Sequence, residues 1–179
     1  PLFARTLALH LTPLLQANPS WQVAEIGPGR GDLCASLSPI LYDTCKTDYL
    51  CIEPYKACWP MQKQRISQSA KHHSTYVSFS TSLPSNFQGI VLANEVLDAQ
   101  PCHILKRLSN GSLRAMHVCL KHDTLSWCFQ PLSEWQAATY AVRKLPKYHD
   151  YQYELSDYSI IASLAKKLSS GYIYFFDYG

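Results

Sequence analysis

The residues with the clearest chemical potential form a glycine-rich run between an apolar segment and a helical one. Residues 21–26 predict a short strand, and apolar residues recur at helical spacing from Leu33 to Leu41. Between them stands Glu25-Ile26-Gly27-Pro28-Gly29-Arg30-Gly31. Glycines allow a sharp turn and close approach of a ligand, and the start of a helix offers free N–H groups. The run therefore predicts a ligand-binding turn.

The spacing of these glycines separates two classes of cofactor. A dinucleotide fold requires GxGxxG, and its third glycine, counted from Gly27, would fall at Asp32. The third glycine stands instead at position 31, so the spacing is GxGxG, and the acidic residue Glu25 precedes it. This pattern favours a nucleoside that carries an amino acid, such as S-adenosylmethionine (SAM). A nucleotide-dependent oxidoreductase and a plain strand-to-helix turn remain alternatives. The predicted cofactor-binding residues of this run are Glu25, Gly27, Pro28, Gly29 and Gly31.

Further cofactor contacts are predicted where the next apolar segments end. Glu53 follows the second segment, where an acidic residue accepts hydrogen bonds from ribose hydroxyls in other doubly wound folds. Its alternative interpretation is an exposed carboxylate in the first turn of a helix. Ser82 and Leu83 follow the third segment and are candidates for contact with the adenine, and Asn94 follows the fourth and would lie near the sulfonium.

A second group of acidic residues follows the fourth segment, in Asn94-Glu95-Val96-Leu97-Asp98-Ala99-Gln100-Pro101. If the chain is helical there, Glu95 and Asp98 lie three positions apart on one face and converge. Two carboxylates beside a methyl donor suit a cationic acceptor, and a guanidinium binds carboxylates bidentately. Glu95 and Asp98 are therefore the predicted catalytic residues. Alternatively, they cap the following helix.

The elements that must position these residues alternate between strand and helix. Residues 21–26, 49–52, 76–79, 89–93 and 172–176 predict five strands with helical crossovers, which indicates an α/β, doubly wound, mostly parallel sheet in one domain, residues 1–179. An antiparallel meander is expected at 103–130, where Asn110-Gly111 is typical of a two-residue hairpin turn. Ser156 is the predicted cap of a last helix that ends before Gly171, and residues 131–155 receive no assignment.

The composition excludes several classes of protein. Hydrophobic residues make up 47% of the chain and charged residues 16%, which is typical of a globular protein, and a net charge of +3 does not call for nucleic acid. No segment is long and apolar enough to insert into a membrane. The seven cysteines lack CxxC spacing, so we expect reduced, mostly buried thiols in an intracellular protein. Adjacent pairs such as Cys102-His103 rarely ligate one metal, and no metal is predicted.

Three motifs together resemble one known family. The run from Glu25 to Leu33 is similar to motif I of the MidA-like (COG1565-type) methyltransferases, a family that includes the mitochondrial complex I assembly-factor arginine methyltransferase. Residues 93–101 resemble its second signature, and Phe176-Asp177-Tyr178-Gly179 resembles its third. The opening Pro1-Leu2-Phe3 and the meander also match the family's layout.

This resemblance implies a class I, Rossmann-like methyltransferase that uses SAM and releases S-adenosylhomocysteine (SAH). For the mitochondrial member it implies methylation of a protein arginine in a complex I subunit, so we expect a protein substrate and a location in the bacterial cytoplasm or the mitochondrial matrix. Family members continue beyond both ends of this chain, so we expect it to be truncated. A non-catalytic assembly protein that retains the SAM fold is the main alternative function.

Overall fold

Five parallel strands form the central sheet of the chain in a computed structural model. The structure describes residues 2–69, 75–134, 136–138, 152–156 and 159–178. Its elements divide into two compact units, the first formed by Pro1–Ala99 with Ser159–Gly179 and the second by Gln100–Tyr158. The first unit comprises α1 (Leu2–Ala17), β1 (Gln22–Ile26), α2 (Asp32–Cys45), β2 (Tyr49–Ile52), a short 3₁₀ turn (Lys56–Cys58), α3 (Trp59–Ser69), β3 (Val77–Ser80), β4 (Phe87–Asn94), α4 (Ser159–Lys167) and β9 (Leu168–Phe176).

The order of the strands in this sheet is β3-β2-β1-β4-β9, and every neighbouring pair is parallel. The order reverses between β1 and β4, which is the topological switch point of a doubly wound sheet. The unbroken apolar run from Ile90 to Ala93 is fully buried, as expected for a strand covered on both faces. The predicted α/β, mostly parallel architecture is confirmed.

Two apolar clusters pack against the sheet. The first includes buried residues of α1 and α2, such as Leu11 and Leu37. The second includes Leu164 of α4 together with Ile26 and Val91. Because side chains alternate between the faces of a strand, β1 and β4 contribute residues to both clusters. These contacts hold the carboxyl ends of β1 and β4 next to each other.

The ends of helix α4 differ from the prediction. Ser156 is the last residue of strand β8 (Gln152–Ser156), so it does not begin the helix, which starts at Ser159. Gly171 does not follow the end of the helix, because β9 begins directly at Leu168 and includes it. Its φ is +132°, and a Cβ atom there would lie 1.8 Å from the carbonyl oxygen of Gly89 on β4. Gly171 thus allows β9 to approach β4 closely.

The second unit contains an antiparallel sheet of order β7-β6-β5-β8, built from β5 (Cys102–Arg107), β6 (Leu113–Lys121), β7 (Thr124–Gln130) and β8. The sheet therefore includes a strand beyond the predicted meander. Leu108 and Ser112 close a three-residue loop around Asn110-Gly111, so the predicted two-residue turn there is wrong. The two-residue turn lies instead at His122-Asp123, where both residues have positive φ, as a type I′ turn requires.

The seven cysteines are all free thiols, but the prediction that most are buried is wrong. Cys34 and Cys51 are buried in the first unit, Cys102 is exposed, and the other four are partly exposed. Within the described ranges, none of the helices has the length and apolarity needed to cross a bilayer.

Candidate functional site

The glycine-rich turn joins β1 to α2 in a conformation that requires glycine. Gly27, Gly29 and Gly31 have φ values of 61°, 53° and 86°, in the left-handed region. The N–H of Gly31 donates to the carbonyl of Pro28 at 2.7 Å, which closes the turn, and Gly31 then caps α2. The predicted strand, turn and helix are therefore present.

The three glycines face different surroundings. A Cβ atom at Gly31 would lie 3.3 Å from the backbone oxygen of Gln62 on α3, so this glycine allows helix packing. At Gly27 it would contact Val96 at 3.4 Å. At Gly29 it would meet nothing within 4 Å, because this residue borders open space. Gly29 is thus the glycine whose missing side chain leaves room for a ligand.

That space is a cavity of about 500 Å³ at the carboxyl ends of β1 and β4. Its position matches the crevice in which open α/β sheets bind their ligands. The volume is within the range of small-molecule sites. Its lining includes residues of α1, β1, the glycine turn, α2, the end of β4 and the loop after it: Phe3, Ala4, Glu25, Gly27, Pro28, Gly29, Asp32, Leu33, Ser36, Asn94 and Glu95.

Glu25 contributes a buried carboxyl group to the wall of the cavity. It is 3% exposed, and the hydroxyl of Tyr49 donates to its Oε2 atom at 2.8 Å. A carboxylate oxygen of Glu25 and the Sγ atoms of Cys34 and Cys51 lie within 4.8 Å of one another. Desolvation raises the pKa of Glu25 to about 7, although the hydrogen bond from Tyr49 acts in the opposite direction. The carboxyl group is therefore poised to change its charge near neutral pH.

Glu53 follows β2 and does not line the cavity. It is 8% exposed, so the alternative of an exposed carboxylate is wrong. The N–H of Tyr55 donates to its Oε1 atom at 2.9 Å, and the amide of Gln62 donates to Oε2 at 3.2 Å. The same amide nitrogen donates to the carbonyl of Gly29 at 2.9 Å. Glu53 is thus joined to the glycine turn through one side chain.

Asn94, the last residue of β4, and Glu95, the first residue of the loop after it, both line the cavity, but this loop is not helical. Glu95 has a φ of 51°, a strained value for a residue with a side chain, and its N–H donates to the carbonyl of Phe176 at 2.7 Å. Asp98 does not line the cavity. Its carboxylate binds the hydroxyl of Tyr178 and raises the pKa of that group. The helical convergence of Glu95 and Asp98 is therefore wrong.

Asp177 shapes this loop, a role that local sequence patterns do not reveal. Its Oδ2 atom accepts hydrogen bonds from the N–H groups of Leu97 at 2.8 Å and Asp98 at 3.3 Å. Its Oδ1 atom accepts one from the N–H of Tyr178 at 3.0 Å. These bonds satisfy the amides of Leu97 and Asp98 and tie the loop after β4 to the end of β9. The only sequence signal was the third signature, which includes Asp177.

The predicted adenine contacts, Ser82 and Leu83, lie outside the cavity lining. Leu83 is buried in the second apolar cluster, and Ser82 is exposed. Phe3 and Ala4, which do line the cavity, were missed, because an apolar position of a helix looks the same in sequence whether it faces a core or a ligand.

Comparison with solved structures identifies proteins of the same architecture. A COG1565 superfamily protein from Burkholderia thailandensis is 25% identical and has a TM-score of 0.87, with 100% of this chain and 49% of that protein covered. A second COG1565 superfamily member from the same organism, bound to S-adenosyl-homocysteine, is 26% identical, with a TM-score of 0.83 and coverage of 100% and 47%. The chain thus spans about half the length of these proteins. No curated protein matches the sequence significantly.

A family model described as "Putative S-adenosyl-L-methionine-dependent methyltransferase" matches residues 6–179. This range includes the glycine turn, the loop after β4 and the signature around Asp177. The chain therefore belongs to this family of SAM-dependent methyltransferases.

Proposed function

We propose that this protein is an active SAM-dependent methyltransferase and that the cavity beside Gly29 holds the methionyl part of the donor. The observation that carries the proposal is the open space at Gly29, bordered by the buried carboxyl group of Glu25. A pyrophosphate would place negative charge beside Glu25. The ammonium group of a methionyl chain instead favours the carboxylate form of this residue.

The remaining predicted contacts extend from this cavity. Glu53 would accept hydrogen bonds from the ribose hydroxyls, since its carboxylate has acceptor capacity beyond the two bonds that hold it. Asn94 would lie near the sulfonium, because it lines the cavity at the end of β4. Ser82 and Leu83 remain weaker candidates for the adenine, because neither lines the cavity.

When bound, the donor would supply a methyl group on a sulfonium for transfer to an acceptor nitrogen. The chain then has to orient the acceptor in line and favour the nitrogen whose lone pair attacks. Glu95 is exposed at the cavity, so its carboxylate can bind a cationic acceptor and receive the proton that the methylated nitrogen releases. Asp98, held by Tyr178, would contribute charge from the rim.

The MidA-like resemblance directs the choice of acceptor. We propose a guanidinium group of a protein, in particular an arginine of a respiratory complex I subunit. A guanidinium binds carboxylates bidentately, and its high pKa makes localisation of a lone pair the difficult step. The exposed carboxylates of Glu95 and Asp98 suit this group better than a neutral acceptor.

The proposal is tested first by titrating the full-length protein with SAH. We expect saturable binding and, at about 100 times the dissociation constant, a stabilisation of about 2.7 kcal/mol. Gly29→Ala should weaken binding about tenfold or more, since its methyl group enters the cavity. Gly31→Ala is the matched control: both glycines have positive φ, so both substitutions strain the turn, but the methyl group at position 31 would meet α3 instead of the cavity. Binding of NADH in place of SAH would contradict the proposal and favour an oxidoreductase.

Catalysis is tested by methyl incorporation from labelled SAM into complex I subunits, with mass spectrometry to locate modified arginines. Glu95→Gln should lower the rate about tenfold or more and leave the dissociation constant of SAH within about threefold. Binding of SAH without methyl transfer to any protein would favour the non-catalytic assembly role.

A further inference from the structure

We propose that Gln62 is a positioning residue for the donor, because its amide group fixes the Glu53 carboxylate and the Gly29 carbonyl relative to each other. This inference rests on the proposed function, since it assigns Gln62 a role in the same SAM site. Gln62 lies on α3, has no exposed surface and does not line the cavity. It would therefore act through the two groups that it binds.

The hydrogen bonds determine which way the amide points. Nε2 lies 2.9 Å from the carbonyl oxygen of Gly29 and 3.2 Å from Oε2 of Glu53. Both partners only accept hydrogen bonds, so the NH₂ group must face them, and it has a hydrogen for each. One nitrogen thus links the ligand-bordering glycine to the carboxylate predicted to bind the ribose.

The opposite end of the same amide has no partner. Oε1 of Gln62 is buried and accepts no hydrogen bond in the described part of the chain. A buried carbonyl oxygen without a donor is unfavourable, and an apolar side chain of similar size would avoid that cost. The amide therefore stabilises this region only through the two bonds that its nitrogen donates. Its value lies in the two groups that it holds.

Other contacts keep α3 in place. Ile66 is fully buried, and the backbone of Gln62 packs against Gly31. Arg65 forms an ion pair with Asp32 at the start of α2. Replacement of the Gln62 side chain should therefore leave the helix seated and release only Glu53 and Gly29.

The experiment compares Gln62→Leu with wild type in the full-length protein by calorimetric titration with SAH. We expect the dissociation constant to rise about tenfold, because the Glu53 carboxylate and the Gly29 carbonyl lose the group that positions them for the donor. The melting temperature of the ligand-free protein should change little, because the substitution removes the unpartnered Oε1 but also the donor to Glu53 and Gly29. Gln64→Leu is the matched control, since Gln64 is an exposed residue of the same helix, and its dissociation constant should stay within about twofold.

A second measurement separates positioning from a structural role. In a Glu53→Gln background, Gln62→Leu should weaken SAH binding by less than about threefold, because the group through which it acts is already altered. An equal tenfold loss in both backgrounds would overturn the inference. Unfolding of the ligand-free protein at the temperature of the titration by both Gln62→Leu and Gln62→Met would also overturn it, because the role of the amide would then be structural.

The failure of this inference differs from the failure of the proposed function. If wild type does not bind SAH, the proposed function is wrong and the inference falls with it. If wild type binds SAH and Gln62→Leu binds within twofold of it, the function stands and only the role of Gln62 is wrong.

Discussion

At the scale of single residues, ionisation of the Glu25 carboxyl group costs more free energy in the ligand-free state than when an ammonium group is bound. Its carboxyl group is buried beside the Tyr49 hydroxyl and two thiols, and no cation of the described residues contributes to its pKa. A bound ammonium group would supply the missing positive charge and favour ionisation. The energetic cost of burying this carboxyl group is thus linked to ligand binding.

This arrangement predicts a specific dependence of stability on pH. The folded pKa of about 7 lies above the value of 4.5 for an unperturbed carboxyl group, so the folded state holds the proton more tightly. The resulting stabilisation is complete below about pH 4.5 and is lost as the pH rises towards 7, by about 3 kcal/mol in total. We expect Glu25→Gln to remove this part of the dependence and to be more stable than wild type above pH 7.

Denaturant unfolding of both ligand-free proteins between pH 4.5 and 8 would measure the effect. Cys34→Ala is a useful comparison, because it alters the neighbouring group and keeps the titrating one. Parallel curves for wild type and Glu25→Gln would contradict the assignment, since another group would then cause the dependence.

At the scale of elements, the carboxyl end of β9 determines the shape of the loop after β4. The two strands are parallel neighbours, paired from Phe87 to Asn94, so residues that follow them meet at one edge of the sheet. Asp177 follows β9 directly and binds the amides of Leu97 and Asp98. The loop that presents Glu95 is therefore held by a residue about 80 positions away.

We therefore expect Asp177→Ala to impair catalysis more than donor binding. The amides of Leu97 and Asp98 should exchange hydrogen faster, and the rate of methyl transfer should fall about tenfold, because loss of a charged acceptor typically costs 1.5–3 kcal/mol. The dissociation constant of SAH should change less than about threefold, since the turn around Gly29 is unaltered.

Glu134→Ala is the matched control, as it removes an exposed acidic side chain from the second unit. An unchanged rate together with faster exchange would show that the bonds of Asp177 order the loop without serving the reaction.

The elements also show what the sequence could and could not predict. The strand, glycine turn and helix around Gly29 were predictable, because apolar periodicity and glycine spacing are local signals. Ser156 was wrongly predicted to cap a helix. Serine is a common capping residue, but here it belongs to β8, which pairs with β5, about 50 residues earlier in the chain. The burial of Gln62 could not be predicted from the sequence, because the other residues of its helix are mostly polar and exposed. The role of Asp177 likewise depends on a contact between distant positions.

At the scale of the whole molecule, each unit has an apolar core of its own. All the described residues that line the cavity belong to the first unit. The second unit has a smaller core, in which Leu105 and Ala115 are fully buried and Leu113 and Leu132 pack against them. Donor binding and the integrity of the second sheet should therefore be separable by substitution.

Leu105→Ala tests this separation. Truncation of a fully buried leucine typically costs about 2–5 kcal/mol, which is large for a cluster of four side chains. We expect amides of β5 and β6 to lose protection from hydrogen exchange, whereas those of β1 and β4 keep theirs. The dissociation constant of SAH should remain within about twofold, as measured by calorimetry on the full-length protein. Loss of protection in β1 and β4 together with weaker SAH binding would instead show that the two units unfold as one, and that the site depends on the second sheet.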